Sequence, residues 1–262
     1  LLKNLKNYKQ TVLYYGPSSL KDIDQLVSKT ILSPKKFAAV PAIKRYKEET
    51  TPKNEVIIAP YDAKNIYMVQ FHNDDQKWSA DRAPIIALFN EYFGGGMNAI
   101  VFQELRESRG LAYSAYAKYD SPYRLGGNEN FYTYIITQND KMMDCVKEFN
   151  KLLNNVPVRQ SGFDLAKQSL MKSLASNRTT KYAILTSYLA AQRLGIDYSL
   201  SEKIYKAIPS LQLQDVINFE KEYIANKPFK YIILGDEKEL DLKALEKIAP
   251  IRKVTTEEIF GY

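Results

Sequence analysis

Histidine, cysteine and tryptophan each occur once in these 262 residues, and the first two scarcities remove whole classes of chemistry. A lone histidine, His72, cannot build the paired-imidazole zinc site that His-x-x-Glu-His places on one helix. Serine–histidine catalysis would have to use the same residue, and no nucleophile elbow accompanies it. His72 stands in FHND at the end of a β-like run, where a hydrogen-bonded or surface role is expected. Cys145 alone permits no internal disulfide, and within a helical pattern it reads as buried packing. No run of about 18 apolar residues exists, so no membrane-spanning helix is expected. The N-terminal LLKNLKNYKQ has neither methionine nor a secretory core, so targeting cannot be read and the compartment stays open, the periplasm included.

What is present describes an ordinary globule. The chain is 45% hydrophobic and 26% charged, enough for one large or two small packed domains. Its net charge of +7 is spread over short clusters such as Lys35-Lys36 and Lys44-Arg45, whereas a nucleic-acid binder concentrates its cations in a stripe or a reading module. The 20 tyrosines and 11 phenylalanines fall mostly in periodic apolar runs, which is the signature of core rather than of base stacking.

The densest signals lie in FGGGMNAIVFQELRESRGLAYSAYAKY, residues 93–119. Gly94, Gly95 and Gly96 force a turn, because glycine loses the most backbone entropy on ordering. No G-K-[ST] or G-x-G-x-x-G follows, which argues against a phosphate loop. Asn98 is placed to cap a helix over Ala99 to Ser108, with Val101, Phe102 and Leu105 at helical spacing. Gly110 is the expected left-handed stop. Beyond it Leu111, Tyr113, Ala115, Ala117 and Tyr119 alternate on one face of a strand. Folding back at Gly110 brings Arg106, in the last helical turn, toward Tyr113 near the strand's start.

The run GGGMNAIVFQELRESRGLAYSAYA resembles the signature of the zinc-free half of the pitrilysin/insulinase family of zinc metallopeptidases, which includes the mitochondrial processing peptidases. The resemblance extends from about Glu55 to the C-terminus. It implies an α+β fold, with a mostly antiparallel sheet packed against helices. It implies a zinc-bearing half elsewhere, in the same polypeptide or on another subunit, and no zinc in this chain. It also implies that Arg106 and Tyr113, which match the family's arginine and tyrosine, face that metal and hold the substrate and its transition state. Without the resemblance, a surface ion pair between Arg106 and Glu104 or Glu107 and a sheet-packed Tyr113 would be the plainer account. With the whole motif around the pair, a functional role is favoured.

Read in order, KQTVLYYG (residues 9–16) is β-like and LKDIDQLV has helical spacing at Leu20, Ile23 and Leu26. One offset carries Gly16 onto Gly235, Ile23 onto Leu242 and Leu26 onto Leu245, the hint of an internal duplication. Residues 1–30 are therefore expected to be the last strand and helix of a preceding similar domain, residues 31–54 a proline-bearing linker, and residues 55–262 the main domain. Within it, VIIAPYD and NIYMVQFHN read as strands, and Pro84 opens a helix leading to Gly94. ENFYTYIITQ is expected to return as the hairpin partner of the strand ending at Tyr119. Gly126-Gly127 between them is read as a plain loop, and Glu104 and Glu107 as a solvated helix face. NDKMMDCVKEFNKLLNN follows as an amphipathic helix with Met143, Val146, Phe149 and Leu153 inward. A helix capped by Ser161 and Asp164, another closing at Gly195, and two more around 201–207 and 212–225 lead to the strand KYIIL.

The expectation is the non-zinc half of a zinc endopeptidase, enclosing unfolded peptide and inactive as an isolated piece. The alternative is a non-catalytic scaffold or interaction module of the same fold. A nucleic-acid-binding domain ranks third.

Overall fold

The computed structural model describes residues 6–31, 34, 36–42 and 48–261. They form two compact units. The smaller comprises the described residues up to Glu48 together with Arg178–Tyr198; the larger comprises Glu49–Asn177 and Ser199–Tyr262.

The larger unit is built on six strands: β1 (Glu55–Pro60), β2 (Asn65–His72), β3 (Ser114–Asp120), β4 (Asn130–Gln138), β5 (Lys230–Gly235) and β6 (Ile251–Lys253). Their order across the sheet is β3-β4-β2-β5-β1-β6. The pairs β3/β4, β4/β2 and β2/β5 are antiparallel, while β5/β1 and β1/β6 are parallel. The fold is thus α+β with a mostly antiparallel sheet. Strand alternation puts Val56, Ile58, Ile66, Met68, Ala115, Ala117, Phe131, Ile135 and Ile233 on one face, all buried.

Among the described residues this unit also holds seven helices, five of which bury residues in its core. They are α2 (Ala83–Phe89), α3 (Met142–Asn154), α4 (Gln160–Ser176), α6 (Leu200–Ala207), α7 (Leu213–Tyr223), α8 (Leu242–Glu246) and α9 (Thr256–Phe260). Pro84 sits in the first turn of α2, where its missing N–H costs nothing. Phe89 stacks on Phe93 at 5.2 Å and meets Phe219 of α7 at 5.2 Å. In α3, Met142 rather than Met143 is fully buried, beside Cys145, Val146, Phe149 and Leu153. Met143, expected inward, is partly buried and packs against the same core. The expected cap at Ser161 and Asp164 is absent. Helix α4 begins at Gln160, two residues before the start a Ser161 cap would give, and the Gln160 side-chain amide donates to Asp164 at 2.9 Å.

The smaller unit holds α1 (Leu20–Thr30), capped by Ser19, and α5 (Lys181–Leu194), capped by Thr180 and closed by Gly195 at φ 72°. Both helices lie where the sequence put them. Residues 9–16 form no strand; the sheet's six strands all come from residues 55–253. No described residue of this unit is buried.

Candidate functional site at the helix-to-strand turn

The site begins where α2 runs on into a π-helical segment, Asn90–Gly94. Gly94 passes so close to β3 that a Cβ there would lie 1.9 Å from the Ala117 carbonyl oxygen, which is why the chain carries glycine at this point. Beside it Asn90 grips the strand edge. Its side-chain amide donates to the Tyr119 carbonyl at 2.9 Å, and its oxygen accepts the Tyr119 N–H at 2.8 Å. Alternate residues of an antiparallel strand point their backbone groups the same way, so Ala117 shares the outward edge that Asn90 occupies at Tyr119. The end strand of the sheet is thereby closed over much of its length.

After the glycine turn the backbone is a regular helix only at Ile100 and Val101, then widens into a second π-helical segment, Phe102–Glu107. The Ser108 N–H reaches back five residues to the Gln103 carbonyl at 2.9 Å. An ordinary helix over Ala99–Ser108 was expected; the wider turn keeps Val101 and Leu105 fully buried with Phe102 and Arg106 stacked outward. Segments of this kind recur at functional sites. The Arg106 guanidinium carbon lies 4.9 Å from the Phe102 ring centre and 5.8 Å from that of Tyr113.

Gly110, at φ 58°, stops the helix as expected. Its N–H donates to the Arg106 carbonyl at 3.1 Å, and the Leu111 N–H to the Leu105 carbonyl at 2.8 Å. Two side chains pin the turn from outside: the Thr137 hydroxyl donates to the Leu111 carbonyl at 2.6 Å, and Lys141 Nζ to the Gly110 carbonyl at 3.2 Å. Tyr113 and Ser114 then both face Ile136. Ser114 is its partner in register, and the Tyr113 N–H donates to its carbonyl at 2.8 Å. Tyr113 stands in the bend just before β3 begins, where the strand's alternation does not bind it. Alternation alone would put Tyr113 on the buried face with Ala115 and Ala117; instead it is 76% exposed.

Arg106 and Tyr113 are therefore neighbours and both open to solvent. The acids do not claim the arginine. Glu104, read from sequence as a solvated residue, is only 14% exposed and is held by Arg159 and, at 3.7 Å, by Arg109. Arg109 also reaches Glu148 at 3.4 Å. Arg159 is seated in turn by the buried Tyr92 hydroxyl, which accepts its N–H at 3.0 Å and donates to the Pro157 carbonyl at 2.7 Å. Burial raises the Tyr92 phenol above its usual range, so it stays neutral. Glu107 approaches Arg106 only to 3.9 Å with both side chains about half exposed, a contact of little energetic weight. Arg159, Glu104 and Arg109 were missed because their partners are far apart in sequence, with no local spacing to reveal them.

These residues do not fit a zinc ion. His72 points Nδ1 at the Pro228 carbonyl at 2.8 Å, and burial lowers its pKa, leaving a neutral ring that donates to the backbone. Among the described residues no group of three or more His, Cys, Asp or Glu side chains is arranged to hold a metal. Cys145 is buried alone, its thiol pushed up to about 12 by burial. No helix among the described residues is long and apolar enough to cross a membrane.

Over residues 3–170 the sequence matches the model of the peptidase M16 inactive domain. The chain belongs to this family. It is the zinc-free half to which the signature around Arg106 and Tyr113 pointed. Solved structures with the same fold include a peptidase M16 inactive domain from Pseudomonas fluorescens, at 19% identity and a TM-score of 0.62, covering 75% of this chain and 47% of that one. A protease from Helicobacter pylori aligns at 15% identity and a TM-score of 0.63, covering 83% and 53%. A chain of complex III2 from Candida albicans aligns at 13% and 0.59, covering 89% and 57%. This chain thus spans about half the length of those structures. No curated protein matches it.

Proposed function

We propose that this non-catalytic M16 half closes over unfolded peptide against a zinc-bearing half, with Arg106 and Tyr113 donating hydrogen bonds to the peptide where negative charge develops. The observation that carries this reading is the pair itself. A guanidinium and a phenol lie side by side, on a turn held by four backbone and side-chain hydrogen bonds, with the nearby Glu104 engaged elsewhere. Donors fixed in place before reaction stabilise a developing oxyanion without reorganisation. Metal, water and general base would all come from the partner, so the chain alone cleaves nothing. In this reading residues 1–30 are the tail of a preceding like domain, 31–54 the connection and 55–262 the half-domain proper.

The test is peptide cleavage by the complete zinc-loaded polypeptide carrying Tyr113→Phe or Arg106→Ala, after folding and zinc content have been checked. Each change is expected to lower kcat by about 100-fold or more. Full activity in both variants would sink the assignment. The likeness to a chain of complex III2 favours one second reading, a scaffold of the same fold. A complete protein that binds no zinc and cleaves nothing would establish it.

A further inference from the structure

One face of the six-stranded sheet forms the core of the larger unit. On the other, register sets five residues in a row across five neighbouring strands: Tyr116 of β3, Tyr134 of β4, Val69 of β2, Ile232 of β5 and Ile57 of β1. None is charged and none is fully buried, Tyr116 being 38% and Ile232 39% exposed. The Tyr116 and Tyr134 rings lie 5.1 Å apart, and Tyr132 meets Tyr116 edge-on at 6.2 Å. Burial raises the Tyr116 and Tyr134 phenols above their usual range, so they stay neutral. The adjoining row ends in lysines at both sides, but Lys118 is paired with Asp120 and Lys230 with Glu49, each at 2.6 Å. A contiguous apolar surface with neutralised margins marks a contact site for an uncharged occupant.

Where the row starts decides what that occupant is. Tyr116 stands three residues beyond Tyr113, about 10 Å along the strand, so the row opens beside the Arg106 and Tyr113 pair. A peptide held at the pair cannot continue as a further strand on β3, because Gly94 lies against the Ala117 carbonyl and Asn90 takes the Tyr119 backbone groups. The face is the surface left to it. Four strand spacings of about 4.8 Å make the row about 19 Å long, the reach of about six residues of extended chain. Tyrosine suits the task, since its ring receives apolar side chains while its hydroxyl meets the polar groups of a peptide backbone.

We propose that this row docks the substrate peptide and selects chains with a bulky apolar or aromatic residue about three positions from the bond held by Arg106 and Tyr113. Tyr116 and Tyr134 are its specificity-determining residues, and the peptide beyond them crosses the strands toward Ile57. This rests on the proposed function for the peptide and for the place of its cleaved bond; the binding test below needs no turnover.

The test gives the complete zinc-loaded polypeptide a series of synthetic peptides of Ala, Ser and Gln in which a single phenylalanine is moved along the chain, with the cut located by mass spectrometry. The cut should follow the phenylalanine at about three residues, and the phenylalanine should lower KM by about 10-fold or more against the same peptide without it. Tyr116→Ala combined with Tyr134→Ala should abolish both effects, whereas Tyr116→Phe, which keeps the ring, retains them. Tyr116→Lys, a charge set into the row at an exposed position, should give the same loss as the double change. Binding of the labelled peptides to the zinc-depleted polypeptide, followed by fluorescence anisotropy, reads the row without chemistry. Tighter binding of the phenylalanine peptide, lost in the Tyr116 and Tyr134 variants, in a protein that cleaves nothing would refute the proposed function and leave this inference standing. Cleavage that needs Arg106 and Tyr113 but ignores the phenylalanine would do the reverse. Equal binding of the two peptides by the wild type overturns the proposal, and would mean that another part of the polypeptide or a second copy covers the row. So does a preference that survives in both the double variant and Tyr116→Lys.

Discussion

Glu220 offers a measurement of how tightly the larger unit is closed. It lies on the inward side of α7 with Val216 and Phe219, is 1% exposed, and its Oε1 has no hydrogen-bond partner among the described residues. Burial pushes its carboxyl from 4.5 up to about 7, with Lys221 opposing weakly. A carboxyl that is harder to ionise when folded stabilises the fold fully below its unfolded value, and the advantage is lost as pH rises through the folded one. At 1.36 kcal/mol for each unit of pKa, the interval from 4.5 to about 7 corresponds to about 3 kcal/mol lost above neutrality. Glu220→Gln removes the titration while keeping size and polarity. Denaturant unfolding of both proteins at about pH 5 and about pH 8.5 should therefore give near-equal stability in acid and a variant more stable by about 3 kcal/mol in base. The same substitution at the exposed Glu222 serves as the control. A difference that does not change with pH would refute the argument, since it would mean that the Glu220 carboxylate ionises in contact with water.

Gly94→Ala should destabilise by about 3 kcal/mol or more, because its methyl would need the space of the Ala117 carbonyl oxygen; calorimetry showing no loss would mean that β3 can retreat. Asn90→Ala leaves the Tyr119 N–H and carbonyl without their partners and should cost about 1–3 kcal/mol. The same variant should aggregate more readily as the strand edge opens, which light scattering would detect. Cys145, with its thiol raised to about 12, should resist a thiol reagent at about pH 8 in the native state and react fully in denaturant; rapid native labelling would contradict its burial.

Local chemistry was enough to determine much of this protein. Strands and helices fell where period-two and 3.6-residue patterns placed them, because half-buried elements must alternate or spiral their apolar residues. Gly110 and Gly195 ended helices because only a residue without Cβ adopts their positive φ cheaply. The turn that sets Arg106 beside Tyr113 was also readable, since its helix, stop and strand are contiguous. Tertiary structure decided what depended on distant partners. Tyr113 faces solvent because it lies in the bend before β3, tied by its N–H to Ile136 of another strand and outside the strand's alternation, and Arg106 escapes Glu104 because Arg159, from beyond α3, takes that carboxylate. The edge of β3 is closed by Asn90, which sequence reading passed over. Residues 9–16 show the converse: a strand pattern is only a propensity until other strands accept its backbone hydrogen bonds, and the six-stranded sheet draws none of its strands from them.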